Sequence, residues 1–386
     1  MSNRLVFFGF LLSCFFILGC TKNEIERIEE VVETPDRTVL LYIVGDNDLN
    51  KFVETNIEAV MSGMEAVPTT LNMLVYQDNY SRDEQGNMLS PTLFKVTYQH
   101  GGVTKQVVKT YAEQSSVAPD IMQGIIKDAF TAFPSSEKGI IFWSHGSGWL
   151  PKVGNSQIPG LLSYGPDGSD YLDIWELRGI LEETDIVFDF IAFDACNMAT
   201  AEVAYELRNV SKYQILSPTE IMGVGFPYQY MVPVLAKKEL DLPAICQAYM
   251  QFYDGQNGRD GAISLIQSDQ MEGLAAVYAT FLAAEGAGIS YGTTRGIQQY
   301  GRRVKGTDNV FFDMESVAET FMSAALLNEF VAQSGKTVLY HQTTPDFIDI
   351  KITKSGGLSV FLPQGCTNTS YKNAYPALQW SQRMNP

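Results

Sequence analysis

Four largely apolar runs stand out in the first half of the chain. They are TVLLYIV at 38–44, GIIFWSH at 139–145, FDFIAFDA at 188–195 and KYQILSP at 212–218. Each is short and rich in β-branched or aromatic residues, which predicts strands buried on both faces. Helical patterns separate these runs. The chain therefore predicts βαβ units around a mainly parallel sheet.

The remaining segments show helical spacing or strict alternation. Asp and Asn residues stand before the apolar stripe at 49–60, and we expect them to cap a helix there. TLFKVTYQ at 92–99 and VTKQVVKTY at 103–111 alternate on either side of Gly101-Gly102, which predicts a hairpin. Further helices are predicted over 118–132, 173–184, 198–209, 228–236, 242–254, 269–285 and 314–334, with further strands at LNMLVYQD, GAISLIQ, KTVLYHQ and GLSVFLP.

The N-terminus, MSNRLVFFGFLLSCFFILGC, has the pattern of an export signal. One Arg precedes an apolar stretch that ends in Ile-Leu-Gly-Cys, which resembles a bacterial lipobox. We expect residues 1–19 to be removed, Cys20 to carry lipid and residues 20–36 to form a tether. An ordinary signal peptide without lipid is the alternative. The lipobox predicts an exported bacterial lipoprotein, anchored in the outer membrane or at the cell surface.

Composition narrows the class of partner. The chain has 386 residues, of which 45% are hydrophobic, so it can bury a large core. Its formal net charge of −17 argues against binding to nucleic acid or to an anionic lipid surface. Plain solubility also explains such a charge. Basic or neutral substrates remain compatible with it.

Five cysteines are present, of which one leaves with the signal and one is expected to carry lipid. An odd number is left in an oxidising compartment, so at least one thiol stays unpaired. The sequence contains no CxxC pair and no Cys/His cluster with metal-ligand spacing, which excludes a structural zinc site of the usual kind. The cysteines are Cys14, Cys20, Cys196, Cys246 and Cys366, and we interpret the last two as packing residues or free thiols.

Two chemically reactive side chains follow buried strands. His145 is one of three histidines and precedes Gly-Ser-Gly, whereas His341 belongs to a predicted strand. Cys196 follows IAFDA. Ligands bind at the carboxyl ends of strands in open parallel sheets, where an imidazole can deprotonate a thiol. The N–H groups of Gly146 and Cys196 could stabilise an oxyanion. An inert core cysteine and a hydrogen-bonded structural histidine are the alternatives.

The motifs IIFWSHGSGW and FDFIAFDACNMAT together resemble the clostripain family of cysteine peptidases. That family is similar in fold to caspases, gingipains and legumain. LLYIVGDNDLN, AISLIQSDQMEGL and GLSVFLP extend the resemblance over residues 37–365. It implies an α/β caspase-like fold, with a mainly parallel sheet flanked by helices. The peptidase domain would span 37–386, with a core at 37–230 and a C-terminal helical or mixed subdomain at 231–386.

The resemblance also implies roles for individual residues. Cys196 would be the nucleophile and His145 its proton-transfer partner, in a dyad without an obligatory third acid. Gly146 and Cys196 would form the oxyanion hole through their backbone. Asp194 would lie at the floor of the S1 pocket and attract a P1 Arg or Lys. A helix N-cap just before Cys196 is the other reading of Asp194.

One stretch departs from the family pattern. Relatives that cut after basic residues read Glu-x-x-Gly-Asp-Gly-Trp-x-Tyr, whereas this chain reads EIMGVGFPY at 220–228. Val224 stands where a second pocket acid is expected, and Phe226 where a Trp is expected. With Asp194 as the single acid, the pocket would discriminate less strongly for a cation. Glu220 could substitute for the missing acid.

The same resemblance bears on maturation and cofactors. Family members often cut the loop between the His and Cys strands, and Lys152 is the candidate position here. Some relatives use calcium, but no residue cluster predicts a calcium site, so we expect no required cofactor and no metal. The expected substrates are peptides or proteins. Two alternatives stay open: a related peptidase with a non-basic P1 preference, and a catalytically idle surface-binding lipoprotein.

Overall fold

In the part of the chain that the structure describes, a nine-stranded sheet lies at the centre. The computed structural model describes residues 35–65, 67, 71–80, 89–151, 164–256, 258–301 and 310–385, which fall in one compact unit, Thr34–Pro386. Its strands are β1 Arg37–Gly45, β2 Leu71–Asn79, β3 Thr92–Gln99, β4 Gly102–Thr110, β5 Glu137–Trp143, β6 Tyr164–Asp167, β7 Asp170–Leu172, β8 Phe188–Asp194, β9 Ser211–Leu216, β10 Ala262–Gln267, β11 Phe312–Asp313, β12 Val338–Thr343, β13 Asp346–Phe347, β14 Ile350–Lys351 and β15 Ser359–Val360.

The sheet is parallel at its centre and antiparallel at both edges. Its strand order is β12-β10-β9-β8-β5-β1-β2-β3-β4. The five strands from β9 to β2 are parallel neighbours. The β3–β4 hairpin closes one edge, and antiparallel β10 and β12 close the other. This arrangement confirms the predicted α/β class with its central parallel strands.

Helices cover both faces of the sheet. α1, α5 and α6 contribute to the core on one face, and α2, α3, α4 and α7 to the core on the other. The helices are α1 Asn50–Gly63, α2 Pro119–Ala132, α3 Ile174–Glu182, α4 Ala201–Glu206, α5 Tyr228–Leu235, α6 Leu242–Phe252, α7 Met271–Glu285, α8 Met314–Phe321, α9 Ala324–Thr337, α10 Thr369–Ala374 and α11 Gln379–Met384.

β1 explains why both layers form. All nine of its residues are buried. Leu40, Tyr42 and Val44 pack into one core, and the alternate residues pack into the other. Side chains of a strand point to opposite faces in turn, so a continuous apolar run needs a helical layer on each side.

The C-terminal half departs from the sequence prediction in two places. The helix predicted over 314–334 is divided into α8 and α9, because the backbone is extended at Met322 and Ser323. The N–H of Ser323 donates to a carboxylate oxygen of Glu285 at 2.7 Å, which fixes the break. GLSVFLP forms only the short β15, which pairs with β11 outside the central sheet.

Two local features in the N-terminal half also differ from the sequence prediction. The β3–β4 turn is centred on His100 and Gly101, both with positive φ, one residue earlier than predicted. The acidic residues before α1 do not cap it, since Leu49 occupies the N-cap and has no side-chain capping bond. No helix within the described ranges is long and apolar enough to cross a membrane.

Candidate active site

The loops after β5 and β8 start side by side, at the carboxyl ends of the parallel strands. β5 and β8 are parallel neighbours, and Trp143 is paired with Asp194. His145 and Cys196 each lie two residues beyond this pair. Both residues thus follow buried strands, as predicted, and the two strands are neighbours. Both strands end earlier than predicted, which places the two residues in loops.

The thiol of Cys196 packs against the backbone of Ile221. Its sulfur accepts a hydrogen bond from the Ile221 N–H at 3.3 Å and lies 3.8 Å from the Ile221 carbonyl oxygen. Burial raises the pKa of the thiol to about 12; the Ile221 N–H lowers this pKa, and the nearby carboxyl groups of Glu220 and Asp194 raise it. Such a thiol is protonated at neutral pH, so attack on a substrate requires a base.

The imidazole of His145 is held by the loop that follows β1. Its Nε2 lies 2.5 Å from Oδ1 of Asp48. The side chains of His145 and Asp48 are 25% and 81% exposed. The carbonyl oxygen of His145 accepts from the N–H of Gly165 at 3.1 Å, so β6 also fixes the loop. In this conformation the thiol and the imidazole are hydrogen-bonded to separate partners.

The backbone of Gly146 lies directly against the Cys196 loop. A Cβ at Gly146 would meet the Ala195 Cβ, the Cys196 carbonyl oxygen and the Met198 sulfur, each at 3.0 Å. Within the described residues, no acceptor is bonded to the backbone N–H of Gly146 or of Cys196. Two unused N–H groups are thus present on adjoining loops, as an oxyanion hole needs.

The helix predicted over 198–209 begins later than predicted, and Cys196 does not stand at its start. α4 begins at Ala201, and Thr200 caps it by accepting a hydrogen bond from the Val203 N–H at 3.0 Å. The segment after Cys196 instead lies beside the residues that come after β9. There the Asn197 N–H donates to the Thr219 carbonyl oxygen at 2.8 Å. Asp194 is accordingly not a helix N-cap, and a helix dipole does not assist the Cys196 N–H.

Asp194 is a buried carboxyl group with two hydrogen-bond donors. Its Oδ2 accepts from the Phe226 N–H at 2.7 Å and from the Tyr228 hydroxyl at 2.8 Å. Burial raises the pKa of Asp194 to about 7, although both hydrogen bonds lower it. Gly225 approaches so closely that a Cβ there would lie 2.7 Å from Oδ2. The segment at 220–228 therefore wraps around this carboxyl group.

Asn56 reaches the same place from α1, although no motif in the sequence predicted it there. Its side chain is 1% exposed and donates from Nδ2 to the Phe52 carbonyl oxygen at 2.9 Å. Its Oδ1 is buried without a hydrogen-bond partner among the described residues. A Cβ at Gly225 would lie 2.6 Å from this oxygen. The available signal was a polar residue between Val53 and Val60, on the apolar stripe of α1.

The other residues predicted for the pocket differ in how far they are buried. Val224 is 45% exposed, so it does not contribute to a buried pocket wall. Glu220 is half-buried, and its charge acts on the Cys196 thiol. Phe226 packs in the core, with its ring 5.5 Å from that of Tyr249. Position 224 therefore supplies no second pocket acid, and the structure shows the charge of Glu220 acting on Cys196.

The remaining cysteines and histidines singled out in the sequence lie elsewhere or outside the described residues. Cys246 and Cys366 are buried in the core, and His341 is exposed on β12. Lys152 and Cys20 lie outside the described residues, as do the signal and most of the tether. Among the residues that the structure describes, no group of three or more His, Cys, Asp or Glu side chains could hold a metal ion.

Comparison with known proteins places the chain in a family. A model of the clostripain family matches residues 41–385. The chain belongs to the clostripain family. Clostripain of Hathewaya histolytica is 24% identical over 236 residues, which cover 53% of this chain and 44% of that protein. The matched region thus spans less than half the length of this curated relative.

Solved structures of the family share the fold over almost the whole chain. An inactive zymogen C11 protease from Parabacteroides distasonis has a TM-score of 0.77 and 29% identity, covering 92% of this chain and 99% of that one. A secreted C11 cysteine protease from Bacteroides thetaiotaomicron, in complex with an irreversible peptide inhibitor, has a TM-score of 0.76 and 28% identity, covering 91% and 99%. This clostripain-family chain therefore has the caspase-like architecture implied by its motifs.

Proposed function

We propose that this protein is a cysteine endopeptidase in which Cys196 is the nucleophile and His145 its general base. The β5–β8 register carries the proposal, because it brings one imidazole and one thiol to matched positions of neighbouring loops. Membership of the clostripain family supports the same assignment. The raised pKa of the thiol explains why the base is needed.

The reaction follows from these groups. His145 takes the thiol proton of Cys196, and the thiolate attacks the scissile carbonyl carbon. The N–H groups of Gly146 and Cys196 donate to the developing oxyanion. The imidazolium then protonates the departing amine, and water, deprotonated by the imidazole, hydrolyses the thioester. The Cys196 sulfur must leave its hydrogen bond with Ile221 for the attack.

We further propose a P1 preference for Arg or Lys. The donors around Asp194, namely the Phe226 N–H and the Tyr228 hydroxyl, are already directed at Oδ2. Both of these bonds end on Oδ2, so Oδ1 of Asp194 and the unpartnered Oδ1 of Asn56 leave acceptor capacity, which a guanidinium or ammonium group would satisfy. The absence of an acid at Val224 supports the alternative, a peptidase with a non-basic P1 preference.

Maturation, domain organisation and location complete the proposal. We assign the peptidase domain to 37–386, cleavage of its loop to Lys152, and lipidation after removal of residues 1–19 to Cys20. The protein would then be an exported bacterial lipoprotein, in the outer membrane or at the cell surface. Incorporation of labelled palmitate in cells should be lost in Cys20→Ala, whereas unchanged labelling would contradict the anchor.

The decisive experiment compares residues 21–386 with the Cys196→Ala and His145→Ala variants. Matched peptides with Arg, Lys, Asn, Asp or Leu at P1 are assayed with and without calcium, before and after mild trypsin treatment. Hydrolysis after Arg or Lys that both variants abolish is the expected result. Hydrolysis only after other residues would overturn the basic preference. No turnover under any condition would favour a catalytically idle binding protein.

A further inference from the structure

The Asp48–His145 contact comes from two loops at one edge of the sheet. β1 pairs with β5 in parallel, with Ile43 opposite Trp143. β1 continues to Gly45, two residues beyond this pair, and the loops after the two strands carry Asp48 and His145. Asp48 Oδ1 lies 2.5 Å from His145 Nε2. The contact thus joins two adjoining loops whose starting points are fixed by strand register.

The backbone around Asp48 is anchored although its side chain is exposed. The Asn47 side chain donates from Nδ2 to the carbonyl oxygens of Val44, at 3.1 Å, and Pro166, at 2.8 Å. Its Oδ1 accepts from the Leu49 N–H at 2.9 Å. Asn47 thereby ties the β1 loop to β6, which also bonds the His145 loop. The backbone of Asp48 is therefore fixed relative to the His145 loop.

From this geometry we propose that Asp48 is the positioning residue for His145. A carboxylate accepts hydrogen bonds only, so the proton of a neutral imidazole must lie on Nε2. Nδ1 is then the unprotonated nitrogen, and within the described residues no hydrogen bond occupies it. Asp48 selects the tautomer whose Nδ1 can take a proton from the Cys196 thiol. This role rests on the proposed peptidase function.

The expected contribution comes from orientation more than from charge. Asp48 is 81% exposed, so water and salt screen its charge. Loss of one hydrogen bond of this kind corresponds to about a tenfold change. Asp48→Ala should therefore lower kcat about tenfold and leave KM nearly unchanged. Asp48→Asn should stay within about threefold of the wild type, because its amide oxygen still accepts from Nε2.

Two readouts on residues 21–386 test the role. The first is kcat and KM for the peptide hydrolysed best, with Asp46→Asn as the control, since it removes a carboxylate from the same loop. The second is the NMR spectrum of the imidazole nitrogens, recorded at a pH at which free imidazole is neutral. The three histidines of the chain give few signals. His145 should be the Nε2–H tautomer in the wild type and in Asp48→Asn, and a tautomer mixture in Asp48→Ala.

The outcomes separate this inference from the proposed function. An unchanged tautomer with unchanged kcat in Asp48→Ala would overturn the positioning role. Equal losses of kcat in the Ala and Asn variants, with the tautomer kept, would also overturn it in favour of a purely electrostatic effect. If no peptide is hydrolysed but the tautomer depends on Asp48, the peptidase proposal fails, while the control of the His145 tautomer by Asp48 stands.

Discussion

At the residue scale, Asp194 combines burial with an unusual proton affinity. The carboxyl group is 4% exposed, and burial raises its pKa to about 7. In the free protein it is therefore only partly ionised at neutral pH. A P1 cation would bind the ionised form, so substrate recognition should depend on pH in the physiological range.

The first prediction concerns this pH dependence. Lowering the pH from 8 to 6 should reduce kcat/KM for a P1 Arg peptide about tenfold more than for its uncharged citrulline counterpart. The comparison cancels the pH dependence of the dyad, which both peptides share. Tyr228→Phe removes a hydrogen bond that lowers the pKa of Asp194, so it should move the effect to higher pH. Parallel profiles for the two peptides would exclude Asp194 from P1 recognition.

A second prediction addresses the backbone of Gly146. Gly146→Ala places a methyl group 3.0 Å from Ala195 Cβ and the Cys196 carbonyl oxygen, so the two loops must separate. Displacing one oxyanion donor should lower kcat by about a hundredfold with a small change in KM. Gly124→Ala is the matched control, because nothing lies within 4 Å of a Cβ there. A Gly146→Ala enzyme with wild-type kcat would exclude this N–H from the oxyanion hole.

At the element scale, the local sequence pattern predicted the individual buried strands but not how they are arranged. The buried runs predicted β1, β5, β8 and β9, because a continuous apolar strand needs two covered faces. The order of those strands is a non-local property. The contact of Asp48 with His145 and that of Asn56 with Gly225 depend on that order and on helix packing. Neither contact could be predicted from spacing along the chain.

The short C-terminal strand β15 illustrates the same limit. Its Ser359 N–H donates to the Ala199 carbonyl oxygen at 2.9 Å, and the Phe361 N–H donates to the buried carboxyl group of Glu202 at 2.9 Å. The Phe361 ring also packs 4.7 Å from that of Trp149. The C-terminal half thus supports the segments that follow both Cys196 and His145.

The third prediction follows from these contacts. Residues 21–240 alone should not fold, because the truncation exposes the edge of β9 and removes the partners of Ala199, Glu202 and Trp149. Circular dichroism during urea titration should show no cooperative transition. Residues 21–386 of Cys196→Ala, measured in parallel, should show one. A cooperative transition for the shorter chain would mean that the core at 37–230 is an independent domain.

At the scale of the whole molecule, buried acids link stability to pH. Burial raises the pKa of Asp78 to about 7 and that of Asp167 to about 6. Both are bonded to Ser116: Asp78 to its hydroxyl group, and Asp167 to its N–H at 2.5 Å. Burial also raises the pKa of Glu202 to about 7. When these acids ionise, they add buried negative charge to a chain whose formal net charge is already −17.

The sign of the effect is fixed by linkage. Unfolded Asp and Glu titrate near pH 4, so between about pH 4 and 7 the native state binds protons that the unfolded state has lost. Raising the pH through that window therefore favours unfolding. We expect the free energy of unfolding to be lower at pH 8 than at pH 5, with each such acid contributing on the order of 2 kcal/mol. Urea unfolding of Cys196→Ala, which prevents self-digestion, measures the difference.

Asp78→Asn is the variant that tests the cause of this pH dependence. The amide keeps an acceptor for the Ser116 hydroxyl but carries no charge at any of these pH values. Stability should then fall less between pH 5 and pH 8 than in the parent. Glu54→Gln, a change at an exposed carboxylate on α1, should leave the pH dependence unaltered. If stability falls equally between pH 5 and pH 8 in Asp78→Asn and in its parent, burial does not raise the pKa of Asp78 in the folded protein.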